Sequence, residues 1–160
     1  MELDKTDRIL VSALQRDAQL RLEDLAKLVH MVPSSVHDRL RRLVKDGVIR
    51  RWTIDIDATA FDLDVLAFIG LRSSQPCSKL LPFIEPMAAI EEAHSVAGAN
   101  GLMLKVRVAN TGALLELVDQ LRLIPGVEGT ETSIVLKTNF DRPITLPEAK
   151  VLSIARAKAR

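Results

Sequence analysis

From residue 65 to residue 136 the sequence runs through one pattern twice. A β-branched and apolar run, VLAFIGLR, begins at 65, and a strand-like run, IEEAHSVAG, begins 25 residues later at 90. LMLKVRV begins at 102, and VEGTETSIVL begins at 127, again 25 residues on. The first pair encloses PCSKLLPFIEPMA, helix-like but interrupted by prolines. The second encloses TGALLELVDQLRLI, an amphipathic helix on Leu114, Leu117, Val118 and Leu121. A strand–helix–strand unit that occurs twice predicts the ferredoxin-like βαββαβ arrangement, a four-stranded antiparallel sheet with both helices on one face. Ala67, Ile69 and Leu71 alternate with Leu66, Phe68 and Gly70, so both faces of the first strand are apolar. An uncovered apolar sheet face predicts self-association, as a symmetric dimer in which two sheets meet.

The front third reads differently. MELDKTDRILVSALQRDA predicts a helix with Asp4 as N-cap, Asp7 in the first turn, and an apolar stripe on Ile9, Leu10, Ala13 and Leu14. RLEDLAKLVHM predicts a second, short helix with Leu22, Leu25, Ala26 and Val29 on one side, ending near His30. Pro33 disfavours helix at Val32 and suits the first turn of a third helix, PSSVHDRLRRLVKDG, closed by Gly47. Val36, Leu40 and Leu43 must face inward. Ser34, Asp38, Arg41 and Lys45 then lie opposite, flanked by Ser35, His37 and Arg42. VIRRWTIDID alternates enough to be a strand. Helix, helix, short turn, helix and strand make a helix-turn-helix. Hydroxyl side chains at the positive end of its third helix suit phosphate, and arginines on its outer face suit base edges.

The formal charge of +1 conceals a division. Residues 1–54 carry eleven Lys/Arg against eight Asp/Glu, 55–140 carry six against eleven, and 141–160 carry five against two. A basic front and an acidic middle imply modules with different partners. The expected organisation is a helix-turn-helix domain over 1–54, a linker with four aspartates over 55–64, a ferredoxin-like domain over 65–140, and a tail over 141–160. EAKVLSIARAKAR within the tail is a candidate basic helix, read as a solvated or oligomer-facing extension or as an auxiliary DNA contact.

No apolar run approaches the roughly 20 residues of a membrane span, and MELDKTDR does not resemble a signal peptide. The single cysteine, Cys77, excludes an intrachain disulfide and is read as a small, partly buried hydrophobe in a cytoplasmic protein. His30, His37 and His94 fall in different elements, and no metal-type spacing, nucleophile–base pattern or phosphate loop occurs. No catalytic residue, metal or cofactor is expected.

Taken in order, LDKTDRILVSALQRDAQL, LAKLV, PSSVHDRLRRLVKDGVIRRW, VAGANGLMLKV and LRLIPGVEGTETSIVLK resemble the Lrp/AsnC (leucine-responsive, feast/famine) family of transcription regulators over roughly residues 2–140. The resemblance implies an α+β protein: a winged-type helix-turn-helix domain, then a ferredoxin-like domain for effector binding and oligomerisation. It implies double-stranded DNA as partner, dimers that assemble further, commonly into octamers, and an amino acid or related effector near a turn of the second domain. Ser34, Ser35, His37, Asp38, Arg41, Arg42 and Lys45, with Arg50 behind them, are then the DNA-facing residues, and Gly98, Ala99, Asn100 and Gly101 form the effector turn.

The chain departs from the family's pattern in three places. His30, Val32 and Arg21 stand where glycine and serine are usual, so His30 must take a left-handed conformation, and valine is a poor N-cap whose lost bond costs about 1 kcal/mol. Asp38 lies among the DNA-facing residues, read first as a salt bridge to Arg41 or Arg42 and second as an acceptor for cytosine N4. The effector turn usually reads G-[DE]-x-D, and both acidic positions are lost here. Glu91, Glu92 and His94 are near, but strand alternation sends them to different faces. Simple amino acids are therefore expected to change DNA affinity little. An architectural DNA-binding protein without effector, a sirohaem decarboxylase-like enzyme and a protein-binding module stay open as rivals.

Overall fold

The computed structural model describes residues 2–144 and 146. Two compact units are present, 1–54 together with 141–160, and 55–140.

In the first unit, α1 spans Lys5–Arg16, α2 Leu22–Val29 and α3 Pro33–Lys45. Asp4 caps α1, its carboxylate accepting the Asp7 N–H at 2.7 Å. Neither Arg21 nor Val32 caps its helix with a side chain. Leu10, Ala13, Leu14, Leu25, Ala26 and Val36 form the core, with Leu40 packed against it.

The ends of α2 and α3 use the same hydrogen bonds. The Met31 N–H reaches the Ala26 carbonyl at 3.0 Å and the His30 N–H the Lys27 carbonyl at 3.3 Å. Val48 and Gly47 reach Leu43 and Val44 in the same way, at 2.9 and 3.0 Å. This motif needs one left-handed residue to turn the chain back over the last carbonyls. Gly47 supplies it at φ 72° without steric cost, whereas His30 supplies it at φ 54° against its own Cβ.

The expected strand over VIRRWTIDID does not form. Residues 51–57 carry no regular structure, and Trp52, Ile54 and Ile56 are exposed. Alternation gives a strand two faces, but its backbone groups still need a neighbouring strand, and none among the described residues supplies one.

In the second unit, a single 3-10 turn at Ala58–Phe61 precedes β1 (Val65–Ser73), α4 (Cys77–Ile84), β2 (Ile90–Ser95), β3 (Leu102–Val108), α5 (Thr111–Arg122) and β4 (Val127–Ile134). The strands pair antiparallel in the order β2-β3-β1-β4. This is the βαββαβ sheet that the repeat predicts. Ala67, Ile69, Leu71, Leu102, Leu104 and Val106 pack against Leu80 and Ile84 of α4 and Leu114, Leu117 and Leu121 of α5. Pro82 lies inside α4, which ends before Pro86.

The other face is not the uniform apolar surface expected. It carries Leu66, Phe68 and Met103, but also Lys105, Arg107, Glu92 and Glu131. The proposed basic helix of the tail lies outside the described residues.

Candidate DNA interface and effector turn

The outer face of α3 presents Ser34, His37, Asp38, Arg41 and Lys45 to solvent, with Ser35 half-buried. Its N-terminus, with the free N–H groups of the first turn and no acidic side chain, is suited to phosphate. Among the described residues no ion pair joins Asp38 to Arg41 or Arg42, so the salt bridge expected of Asp38 does not form. Arg41 and Lys45 are likewise outside the ion pairs of this unit, and their charges face outward.

Arg42 is placed differently. Its Nη2 lies 2.7 Å from Asp7 Oδ2, and Asp7 is 1% exposed. Arg39, one turn earlier, lies 2.9 Å from Asp7 Oδ1 and also pairs with Asp4. Two arginines of α3 therefore hold two aspartates at the start of α1. The Asp7 N–H, and then Arg39, keep the Asp4 carboxyl below the usual carboxylate range. Sequence reasoning assigned Arg42 to DNA, read Asp7 only as a first-turn charge, and passed over Arg39. A signal was present: acids at 4 and 7 and arginines at 39 and 42 are both spaced by three, the geometry of facing helix turns. Arg50 is exposed in the irregular segment after α3.

In the second unit, Gly98 (φ 142°), Ala99, Asn100 and Gly101 form the turn between β2 and β3. The Gly101 N–H reaches the Leu71 carbonyl, and the Gly101 carbonyl accepts from the Val96 N–H and from the half-buried Cys77 thiol, each at 3.1 Å. Asn100 folds back over Gly70, where any Cβ would overlap its amide. From there Asn100 Nδ2 donates to Glu131 Oε2 of β4 at 3.0 Å. A carboxylate thus stands at the turn after all. It comes from a strand 31 residues away rather than from the turn itself.

The expectation for Glu91 and Glu92 is corrected as well. A bulge between Ile90 and Glu92 breaks the alternation of β2, and both carboxylates reach Lys105, at 3.2 and 3.1 Å. Glu91 also pairs with Arg107, and Glu92 Oε2 lies 2.8 Å from His94 Nε2. Hydrogen bonds from His94 and then Lys105 pull Glu92 below its ordinary range. Burial pushes Glu91 up, but the bonds from Arg107 and Lys105 outweigh it.

Residues 3–50 match the winged helix-turn-helix DNA-binding model, and residues 66–144 match the Lrp/AsnC ligand binding domain. The HTH-type transcriptional regulator FL11 of Pyrococcus horikoshii is 34% identical over 86% of this chain and 91% of its own. The chain belongs to the Lrp/AsnC family. The regulator AldR of Mycobacterium tuberculosis is 35% identical over 85% of this chain and 79% of its own. Among solved structures, Escherichia coli AsnC superposes with a TM-score of 0.83 at 27% identity, over 90% of this chain and 99% of that one. The feast or famine regulatory protein of M. tuberculosis complexed with L-methionine does so with 0.85 at 31% identity, over 91% and all of it. As a member of the Lrp/AsnC family, this chain is a DNA-binding transcriptional regulator and not an enzyme. No helix among the described residues is long and apolar enough to cross a membrane.

Proposed function

We propose that this Lrp/AsnC regulator works in the cytoplasm as a homo-oligomer, reads double-stranded DNA with the outer face of α3, and responds to a small molecule at the Gly98–Gly101 turn. Arg41 and Lys45 supply the free cationic groups, Ser34, Ser35, His37 and Asp38 the polar contacts, and Arg50 a flanking charge. Arg42 serves mainly as an anchor to Asp7, so its removal acts on the domain before it acts on DNA. The open sheet face, with Leu66, Phe68 and Met103, supports pairing of two copies, since a half-apolar sheet is poorly matched to water. Assembly beyond the dimer, commonly to an octamer, is carried over from the family.

The observation that carries the effector reading is the Asn100–Glu131 pair. The turn's own residues offer no charge, but Glu131 can accept an ammonium while the turn's backbone faces a carboxylate. This changes the expectation for amino acids, and L-methionine, the ligand of the M. tuberculosis relative, becomes the first compound to try.

Calorimetry with L-methionine and a panel of amino acids tests the site. Binding that Glu131→Gln weakens tenfold or more is expected. Absence of binding to any of them returns the architectural reading without effector. Footprinting tests the interface: Arg41→Ala and Lys45→Ala should lose protection at low protein concentration while the oligomer mass is unchanged. Intact footprints in both would remove α3 from the reading.

A further inference from the structure

We propose that Arg72 is the carboxylate receptor of the effector site, so that the ligand must carry an anionic group as well as an ammonium. The inference rests on the effector reading of the Gly98–Gly101 turn and assigns the half of the ligand that Glu131 does not bind.

The sheet register puts the two charges on one face. Gly70 pairs with Glu131 and Arg72 with Gly129, so Arg72 and Glu131 stand diagonally across β1 and β4. Ile69 and Leu71, which alternate with them, are buried against the helices, and Gly70 and Arg72 therefore lie on the open side. Diagonal neighbours are about 7 to 8 Å apart, near enough for an arginine and a glutamate to meet. Yet among the described residues no ion pair joins Arg72 to an acid. Each side chain is held elsewhere. Asn100 fills the space above Gly70 and takes Glu131 onto its amide at 3.0 Å. Arg72 lies over Gly129, where a Cβ would stand 2.5 Å from Nη2 and 3.1 Å from Nε.

A cation and an anion, both exposed, thus face one gap from two sides. The ammonium and carboxylate of an α-amino acid are about 3 Å apart. With a charge-assisted hydrogen bond of about 2.8 Å at each end, the ligand spans roughly 8 Å, close to the separation of the two side chains. The turn is the weaker partner for the carboxylate. Its Gly101 N–H is spent on the Leu71 carbonyl at 3.1 Å. A neutral N–H also binds a carboxylate less strongly than a guanidinium, whose parallel donors match both oxygens. The site stands apart from Phe68, since Arg72 is four residues further along β1, about 13 Å.

The test is calorimetry on the full-length chain with L-methionine, or the tightest binder of the amino-acid panel, and with the amide of the same acid. The amide keeps the ammonium and the side chain but has no carboxylate. It should bind at least tenfold more weakly than the acid. Arg72→Gln should weaken the acid at least tenfold, and Arg72→Lys, which keeps the charge without the paired donors, should recover part of the loss. Gly129→Ala should weaken it as well, by displacing the end of a flexible side chain, while the unfolding midpoint stays unchanged. Equal affinity for acid and amide would overturn the proposal, as would an Arg72→Gln chain that binds the acid like wild type. Glu131→Gln separates the two readings. If it weakens the acid and Arg72→Gln does not, the effector site stands and the assignment of Arg72 falls. If no amino acid of the panel binds the wild-type chain, the effector reading fails and the role of Arg72 with it.

Discussion

The two units each carry a network of two acids and two strong bases, and the networks differ in the burial of their central carboxylate. In the first, Asp7 is sealed from solvent and holds Arg39 and Arg42 from a different helix. In the second, Glu91 and Glu92 stay a third to a half exposed and bind Lys105 and Arg107 of the neighbouring strand. A buried carboxylate cannot be left without its cations, because water is not there to replace them. An exposed network can lose a member and let water in. The first network therefore belongs to the fold of its unit. The second leaves a polar border around Phe68 on a sheet face that a second copy is proposed to cover.

Removing the buried acid should have the largest effect. Asp7→Ala leaves Arg42 without its acid and Arg39 with Asp4 alone, and since Arg42 is half exposed the loss should be about 2 kcal/mol, below the full figure for a buried pair. Denaturant unfolding followed by the fluorescence of Trp52, the single tryptophan and part of the first unit, should show the shift. A midpoint that does not move would mean the network is dispensable.

Next comes the face beside the second network. Phe68→Glu places a carboxylate on the apolar part of the open sheet and should weaken self-association by about 2 kcal/mol, roughly 30-fold. Sedimentation at several concentrations measures it, and an unaltered mass distribution would send the dimer contact elsewhere.

The double change Glu91→Gln, Glu92→Gln should cost less than about 1 kcal/mol of unfolding stability. A larger loss would place these residues with the buried class and erase the contrast.

Acid sharpens the comparison least but fixes its sign. Asp4, Glu91 and Glu92 all have folded values below their ordinary ones. Their contributions are complete above about pH 4 to 4.5 and fade as pH falls through the lower folded values. Lys105 is raised, so its contribution persists until pH climbs past the ordinary lysine value near 10.4. Thermal melts should thus be flat from pH 6 to 9 with respect to these groups and fall below pH 4. Melting that improves on acidification would contradict the assignment.

What was legible in the sequence was local. Apolar spacing located α1, α2 and α3, and the 25-residue offset announced the sheet. The left-handed turn at His30 followed from its standing where the family usually has glycine. What was hidden depended on neighbours distant in the chain. VIRRWTIDID has the alternation of a strand and lacks a partner. The bulge that turns Glu91 and Glu92 to one side arises from the register of β2 on β3, which no two-residue period encodes. Arg39 and Arg42 find their acids 32 and 35 residues away. Glu131 reaches Asn100 only because β4 and the turn flank the same stretch of β1, with Gly70 leaving room.

The shared carboxylate of Asp7 also has a mechanical meaning. Residues 39 and 42 are one turn apart, about 4.5 Å along the axis of α3. A rod held at one point can roll; a rod bolted at two points on one side can neither roll nor slide. The angle at which Ser34, Asp38, Arg41 and Lys45, the residues proposed to face DNA, leave the domain is therefore set from behind, by a side chain at the far end of the domain's sequence.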